Sequence, residues 1–156
     1  MTWRPDLTVA AIVQRDDRFL IVEERIRGRL VFNQPAGHVE EGESLVDAVV
    51  RETLEETAWH FQPRHLLGLY QWRNAENGRS FLRVAIAGEV STHEPQRALD
   101  HGIVATHWLS REQLLAQPSR LRSPLVLACI EDHLAGRRHD LSALSFLASA
   151  AVARSA

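Results

Sequence analysis

The chain of 156 residues lacks the features that mark disulfide-stabilised, secreted or membrane-spanning proteins. Its single cysteine, Cys129, allows neither an internal disulfide nor a cysteine-based zinc site, and its apolar neighbours indicate a small core residue. No apolar run reaches the length of a membrane span, and the first residues, MTWRPDLTV, lack the apolar core of a signal peptide. We therefore expect a single domain in a reducing, cytoplasmic location, with no membrane partner.

An excess of basic residues is also missing. The formal net charge is −2, with an ordinary hydrophobic fraction of 45% and a charged fraction of 24%. Domains that bind nucleic acid are usually basic, so a nucleic-acid partner is not expected. The charge is unevenly placed, because residues 40–56 hold seven acids and one arginine, a charge of −6 that leaves +4 elsewhere. An acidic segment in a mildly basic chain suits a metal ion together with a phosphate substrate.

The acidic segment contains a predicted helix with three glutamates on one side. A Ser-x-x-Asp capping pattern predicts its start at Ser44, and its end is predicted near Thr57. Glu52, Glu55 and Glu56 are spaced i, i+3 and i+4, so their carboxylates share one side of the helix. The apolar residues of the helix predict that Glu52 and Glu56 fall inside the buried stripe.

Burying these carboxylates without a partner is unfavourable. An unpaired buried carboxylate costs several kcal/mol, and the negative end of the helix dipole adds about 0.3–1 kcal/mol for each charge in the last turn. A bound divalent cation reverses both effects, whereas the alternative is an acidic helix face that is only solvated. Carboxylates are hard oxygen ligands, so the cation that we predict is Mg²⁺, with Mn²⁺ as a possible substitute.

The glutamate helix and the loop before it match a longer motif. Every charged position of the Nudix box, G-x5-E-x7-R-E-U-x-E-E-x-G-U, is present within residues 37–59, at Gly37, Glu43, Arg51, Glu52, Glu55 and Glu56. Thr53 stands where the box has an aliphatic residue. Ala58 stands where it has glycine, so a left-handed helix end would cost about 1 kcal/mol there. With the stretches FNQPAGH, YQWR and LRSPLV, the chain resembles the Nudix hydrolases, and among them the NudJ-type Nudix phosphatases.

This resemblance implies an α+β protein with the Nudix fold. In that fold a mixed β-sheet lies between helices as an α/β/α sandwich, and a loop-helix-loop motif carries the catalytic residues. The Nudix domain is expected over residues 1–140. Residues 141–156 are expected to form a C-terminal tail that is either helical or frayed.

Apolar runs and turn residues predict the remaining elements. Strands are predicted at 7–14, 18–24, 30–39, 65–73, 80–90 and 103–109, and further helices at 111–116 and 125–134. Residues 59–62 are predicted to be the exit from the glutamate helix. Pro35 and Gly37 are predicted to interrupt the third strand, which would leave the Gly37 carbonyl outside the ladder and available to a metal ion.

The resemblance also implies an activity and its residues. The predicted metal ligands are Gly37, Glu52, Glu55 and Glu56, and the predicted catalytic residues are Arg51, Glu52, Glu55 and Glu56. Either Glu55 or Glu56 is expected to orient the attacking water, while Arg51 braces the cluster by pairing with Glu43 or Glu52. The implied reaction is Mg²⁺-dependent hydrolysis of nucleoside tri- or diphosphates, or of the pyrimidine pyrophosphate precursor of thiamine.

Four residues outside the glutamate helix are predicted to contact substrate. Arg27 and Arg29 lie in a basic loop and offer paired donors for phosphate oxygens, and His38 is a further candidate phosphate contact. Trp72 lies near the end of a strand and is a candidate for stacking on a base or pyrimidine ring. The alternatives are a solvated turn for the arginines, a surface histidine and a packed tryptophan.

Other interpretations stay open at this level. In the polar loop 91–101, Asp100 or Glu94 is a candidate for a further metal ligand or base, although most such acids are only solvated. A non-catalytic Nudix-like ligand-sensing domain is a second functional class, which the complete set of box carboxylates disfavours. An RNA 5′-pyrophosphohydrolase is a third, which the missing basic tract disfavours. The protein is expected to be a monomer or a homodimer.

Overall fold

The computed structural model describes residues 1–148 and places seven strands and three α-helices among them. The strands are β1 (Asp6–Arg15), β2 (Arg18–Ile26), β3 (Arg29–Asn33), β4 (Ala36–His38), β5 (Trp59–Arg73), β6 (Ser80–His93) and β7 (Ile103–Ser110). The helices are α1 (Leu45–Thr57), α2 (Arg111–Leu115) and α3 (Leu125–Leu134). None of these helices has the length and apolar character needed to cross a membrane.

The strands form one mixed sheet with two parts. In the first part, β1 pairs antiparallel with β4 and parallel with β6, and β5 pairs antiparallel with β6. In the second part, β2 pairs antiparallel with both β3 and β7. The predicted hairpin of β1 and β2 is present, but only Gln14–Phe19 and Arg15–Arg18 are paired, so the two strands separate beyond the turn. The strand β1 is therefore central, with β4 and β6 on its two sides.

Helices cover both faces of this sheet. On one face, Val9 and Ala11 of β1 pack with Ala48 and Val49 of α1. On the other face, side chains of β1, β2 and β6 pack against Cys129 and its neighbours in α3. Cys129 is fully buried, as its apolar neighbours predicted. The arrangement confirms the predicted α/β/α sandwich of the α+β class.

The helix α1 begins and ends where the sequence predicted. The Ser44 hydroxyl accepts a hydrogen bond from the Asp47 amide at 3.0 Å. At the other end, Ala58 adopts a left-handed conformation with φ 60° and ψ 15°, and its N–H donates to the Leu54 carbonyl. The conformation that glycine adopts most readily is therefore carried by an alanine, at a cost of about 1 kcal/mol. This cap turns the chain directly into β5.

The prediction for the segment after α1 is wrong in extent. β5 begins at Trp59 rather than at residue 65, because β6 continues to His93 and provides partners along the whole segment. The register shifts three times, and one of these irregularities lies at Pro63, where a regular ladder would need a backbone N–H. These bulges thus allow β5 to include residues 59–64, which the local sequence does not favour as a strand.

The predicted interruption before α1 is also shorter than expected. Ala36 and Gly37 belong to β4, and Gly37 lies opposite Val9 in the antiparallel ladder with β1. Even the Pro35 carbonyl accepts a hydrogen bond from Ala11 N–H, at 2.9 Å. The prediction that the Gly37 carbonyl lies outside the ladder is therefore wrong. A carbonyl oxygen has two lone pairs, so ladder pairing still leaves it a second acceptor direction.

The beginning of the C-terminal tail packs on the body of the protein. Leu141–Ala143 form a single 3₁₀ turn, and the Asp140 side chain caps it by accepting from Ser142 N–H at 2.8 Å. Leu141 and Leu144 contact the core beneath α1. The rest of the predicted tail, residues 149–156, lies outside the described residues.

Candidate active site

Glu52 and Glu56 are buried on α1, as the helical spacing predicted. Glu52 is 9% exposed and Glu56 is 5% exposed, whereas Glu55 is only half-buried. Burial raises the pKa of Glu56 to about 9, against the lowering effect of a 2.8 Å hydrogen bond from Ala36 N–H. Burial also raises the pKa of Glu52, against the lowering effect of Arg51. Glu56 is therefore costly to ionise unless a cation lies beside it, and for Glu52 the neighbouring Arg51 offsets only part of the cost.

The backbone of Gly37 lies directly against the Glu52 carboxylate. A Cβ atom at Gly37 would stand 2.1 Å from Cδ of Glu52, closer than any side chain can approach. Because Gly37 does not have a positive φ, the requirement for glycine comes from space rather than from backbone conformation. The close approach of β4 to α1 thus places the Gly37 backbone beside the predicted metal ligands.

Arg51 holds the acidic cluster through several hydrogen bonds. Its Nε and Nη2 donate to the two carboxylate oxygens of Glu43, at 3.0 and 2.5 Å. Its Nη1 donates to Glu52 at 2.9 Å and to Glu55 at 3.1 Å, and Nη2 also reaches the His38 carbonyl at 3.0 Å. The hydrogen bond from Arg51 holds the pKa of Glu43 below its ordinary value. The expected pairing with Glu43 or Glu52 is therefore present with both residues.

The loop between β6 and β7 brings a fourth acid to the cluster. One carboxylate oxygen from each of Glu52, Glu55 and Asp100 lies within 4.8 Å of the other two. The Asp100 N–H donates to the Glu55 carbonyl at 3.0 Å, which ties this loop to α1. Glu94, the other candidate acid of the loop, lies 2.6 Å from the ring of His60 instead. Of the two loop acids that the sequence left open, the structure brings Asp100 to the glutamates.

This donor set fits a hard divalent cation. Carboxylate oxygens come from Glu52, Glu55 and Asp100, with the buried Glu56 next to them on α1. Thiolate and thioether groups, which select softer metals, do not belong to the set. Oxygen donors of this kind are the ligands that Mg²⁺ and Mn²⁺ prefer.

Two adjoining cavities form a groove beside the cluster. The acidic cavity, of about 310 Å³, is lined on its charged side by Glu40, Glu52, Glu56 and Asp100. The tryptophan cavity, of about 230 Å³, is lined by aromatic, amide and basic residues that include Trp72, Phe81, Asn33, Arg79, Arg83 and Arg122. Glu24 and the three residues of β4 line both cavities, so the groove runs along β4 from acidic to basic surroundings.

Two of the four predicted substrate contacts lie in this groove. Trp72 stacks on Phe81, with ring centroids 5.6 Å apart and an interplanar angle of 21°, and it remains half-exposed. His38 is exposed, and its Nε2 lies 3.5 Å from a carboxylate oxygen of Asp6. Since His38 lines both cavities and Trp72 lines one, each is placed where a bound molecule would touch it.

The structure does not bring Arg27 and Arg29 to the groove. Both are exposed, Arg27 in the turn that joins β2 and β3 and Arg29 at the start of β3, and neither lines the acidic or the tryptophan cavity. Arg29 instead donates through Nη2 to the Ser119 carbonyl at 3.2 Å.

Several groove residues were not predicted from the sequence. Arg83 carried a usable signal, because a charged residue inside the apolar strand FLRVAIA is rarely buried without a specific role. Arg79 and Arg122 lie outside regular structure and gave no such signal. Glu24, near the end of β2, was not singled out in the sequence, and burial raises its pKa, opposed mainly by Arg122.

Comparison with known proteins agrees with the fold and with the motif. The NUDIX domain family model matches residues 4–128. The phosphatase NudJ of Escherichia coli strain K12 is 42% identical over 139 residues, which cover 89% of this chain and 90% of that protein. A NUDIX hydrolase from Nitrosomonas europaea superposes with a TM-score of 0.90 at 46% identity, covering 92% of this chain and 98% of that one.

A more distant structure supports the fold alone. The MutT NUDIX hydrolase from Burkholderia pseudomallei superposes with a TM-score of 0.71 at 22% identity, covering 83% of this chain and 98% of that one. The match of the family model to most of the chain, the identity to NudJ and the assembled box residues agree with one another. The chain therefore belongs to the Nudix hydrolase family and is an enzyme of the NudJ type.

Proposed function

We propose that this enzyme is a Mg²⁺-dependent hydrolase that cleaves phosphate from nucleoside tri- and diphosphates or from a small pyrimidine pyrophosphate. The observation that carries the proposal is the burial of Glu52 and Glu56 beside Gly37 and Asp100, a set of hard donors at one end of a groove. The name of the relative, a phosphatase, supports release of phosphate. The half-exposed Trp72 in the same groove supports a substrate with an aromatic ring.

The metal ion would be held by Glu52, Glu55, Glu56 and the Gly37 carbonyl, with Asp100 as a further ligand. Mn²⁺ would be accepted at the same oxygens, since it shares the preference of Mg²⁺ for hard donors. When bound, the ion neutralises the phosphate charges and makes a water molecule a better nucleophile.

The residues of the chain have distinct roles in this proposal. Either Glu55 or Glu56 orients the attacking water, since both carboxylates lie on the cluster side of α1. Arg51 acts through the glutamates, because its hydrogen bonds hold Glu52 and Glu55 in fixed orientations. Trp72 stacks on the ring of the substrate, and His38, between the two cavities, contacts its phosphates. Arg27 and Arg29 receive no role in substrate binding, because they lie outside the groove.

A substrate screen tests this function. Nucleoside tri- and diphosphates and a pyrimidine pyrophosphate are each incubated with the enzyme and Mg²⁺, and phosphate is resolved from pyrophosphate among the products. We expect phosphate release that EDTA abolishes and that the variant Glu55→Gln loses. Full Mg²⁺-dependent turnover by Glu55→Gln would contradict the assigned mechanism.

The same screen separates the alternatives. Binding of phosphate compounds without turnover of any would indicate a non-catalytic ligand-sensing domain. Faster turnover of triphosphorylated or capped RNA than of free nucleotides would indicate an RNA 5′-pyrophosphohydrolase. A cytoplasmic location, a monomeric or homodimeric state and a small-molecule substrate complete the proposal.

A further inference from the structure

The tryptophan cavity contains a buried guanidinium that lacks a carboxylate partner. Arg83 is 4% exposed, and its Nη1 and Nη2 donate to Gln34 at 2.9 Å and to Asn33 at 3.2 Å. These acceptors are neutral amide oxygens. Nε has no hydrogen-bond partner but is itself buried, so a ligand in the cavity would be bound through the Nη atoms. Within residues 1–148, no carboxylate oxygen lies within 4.0 Å of this guanidinium. The carboxylates of Glu24 and Glu56 interact with this guanidinium only at longer range. A buried guanidinium that only neutral amides hold is unfavourable, so an anion bound in the cavity would stabilise it.

The N-terminus of α3 opens onto the same cavity. Ser123 and Leu125 both line it, and this end of the 10-residue helix has no acid in its first turn. The Leu125 N–H donates to the Ser123 hydroxyl at 3.2 Å, and the Val126 N–H to the Ser123 carbonyl at 3.3 Å, so Ser123 links this end of the helix to the cavity. A helix N-terminus carries partial positive charge and binds oxyanions through its free N–H groups.

Two further arginines line the cavity but are already paired. Arg79 donates to Asp6, with Nη2 2.9 Å from the carboxylate oxygen. Arg122 is only loosely paired, because its Nε lies 3.5 Å from a Glu24 oxygen and its side chain is 39% exposed. Arg122 can therefore turn towards a ligand, whereas the buried Arg83 is already fixed in place.

We propose that Arg83, Arg122 and the N-terminus of α3 form a phosphate-binding subsite that holds a substrate phosphate outside the diphosphate that is cleaved. This inference rests on the proposed function, because it takes the acidic cavity as the place where the reacting phosphates bind. The two cavities adjoin along β4, so one substrate spans both. The subsite favours compounds with three or more phosphates, or with a second phosphate elsewhere, over compounds that carry a single diphosphate.

Binding of inorganic phosphate to the metal-free protein tests the subsite. The protein is titrated with phosphate in EDTA at constant ionic strength, and the dissociation constant and the thermal unfolding midpoint are measured. We expect saturable binding that is weakened about tenfold or more in Arg83→Met, which keeps the length of the side chain and removes its donors. Arg122→Gln changes an exposed residue and is expected to weaken binding by several-fold.

The control is Arg64→Gln, an exposed arginine that pairs with Glu89 and lines neither cavity. It should bind phosphate like the wild type. Circular dichroism checks the fold of Arg83→Met, and Arg122→Gln keeps the test decisive if that variant unfolds. Identical titration curves for the wild type, Arg122→Gln and any folded Arg83→Met would overturn the subsite.

Kinetics distinguish a substrate phosphate from free phosphate. In Arg122→Gln we expect KM for a nucleoside triphosphate to rise several-fold more than KM for the matching diphosphate, with little change in kcat. An equal rise for both substrates would overturn the assignment to a phosphate of the substrate. If the enzyme turned over no compound, the proposed function would fail, while the metal-free titration would still decide the subsite.

Discussion

Asp100 is joined to Glu55 through the backbone, by a 3.0 Å hydrogen bond from the Asp100 N–H to the Glu55 carbonyl. Replacing the Asp100 side chain should therefore leave the loop in place and remove only a carboxylate. For Asp100→Asn we expect the Mg²⁺ concentration for half-maximal activity to rise about tenfold or more. Glu94→Gln, in the same loop but away from the glutamates, is the control. An unchanged Mg²⁺ dependence in Asp100→Asn would show that Asp100 is not a ligand.

Gly37→Ala should damage the site far more than the fold. The added methyl group would collide with Cδ of Glu52, so this carboxylate must move away from its neighbours. We expect kcat/KM to fall by about a hundredfold or more and the free energy of unfolding to fall by about 1–3 kcal/mol. In the control Gly28→Ala, the methyl group meets open space at a positive φ, which should cost about 1 kcal/mol of stability and no activity. Wild-type kcat/KM in Gly37→Ala would contradict this account.

Glu56→Gln should stabilise the metal-free protein while removing its response to metal. A neutral amide replaces a carboxylate that is 5% exposed and accepts one backbone hydrogen bond, so the folded protein no longer buries an ionisable group without a cation. We expect a higher urea midpoint than the wild type in EDTA, and a smaller rise when Mg²⁺ is added. A lower midpoint in EDTA together with an unchanged Mg²⁺ response would count against Glu56 as a ligand.

Trp72 should contribute to substrate affinity rather than to turnover. Stacking of a ring on a tryptophan contributes about 1–3 kcal/mol, so Trp72→Ala should raise KM for a nucleotide about tenfold with little change in kcat. Trp72→Phe should retain most of the affinity, because it keeps an aromatic face. Trp3→Ala removes another exposed tryptophan outside the groove and should leave KM unchanged. Equal KM values for the wild type and Trp72→Ala would show that the substrate ring does not stack on Trp72.

Stability should fall in mild acid because of two stacked histidines. The rings of His65 and His133 are parallel within 5°, with centroids 6.4 Å apart, and burial lowers the pKa of both, assisted by nearby Arg138. Because the unfolded chain binds these protons more readily, their contribution to stability is complete above pH 6.5 and is lost as the pH falls below it.

Urea unfolding between pH 7 and pH 5 measures this loss. The variant His133→Gln removes one of the two groups and should show a smaller decrease in the free energy of unfolding over this range. In His139→Gln, which changes an exposed position, the free energy of unfolding should decrease as much as in the wild type. Parallel curves for all three proteins would contradict the role of the histidine pair.

The glutamate helix was predictable because its signals are local. Ser44 starts the helix and the spacing of Glu52 and Glu56 places them on the buried side. Both facts follow from residues of one short segment, 44–56. The left-handed end at Ala58 was expected from the resemblance to the box, which has glycine at this position, and not from the alanine itself. Where β4 forms, by contrast, the local preference of Pro35 for a loop was overridden, because β1 offers a ladder that lies far away in the sequence.

The groove was not predictable from local patterns. Arg83 reaches it because β6 pairs in parallel with β1, with Arg83 opposite Thr8, while β4 lines up on the other side of β1. Arg122 arrives from the segment before α3, close to residue 24 on β2. Thr8 and Arg83 are 75 residues apart along the chain, and Glu24 and Arg122 are 98 apart. Composition and periodicity describe each strand, but they carry no information about which strands lie side by side.

The hydrogen bonds of Arg51 also affect how tightly a metal ion would bind to the glutamates. The guanidinium already occupies one oxygen of Glu52 and one of Glu55, so it competes with any incoming cation for the same ligands. It thereby offsets part of the repulsion among the carboxylates when no cation is bound. The same hydrogen bonds would lower the affinity of these carboxylates for a cation. Arg51 would thus favour an exchangeable ion over one retained for the lifetime of the protein.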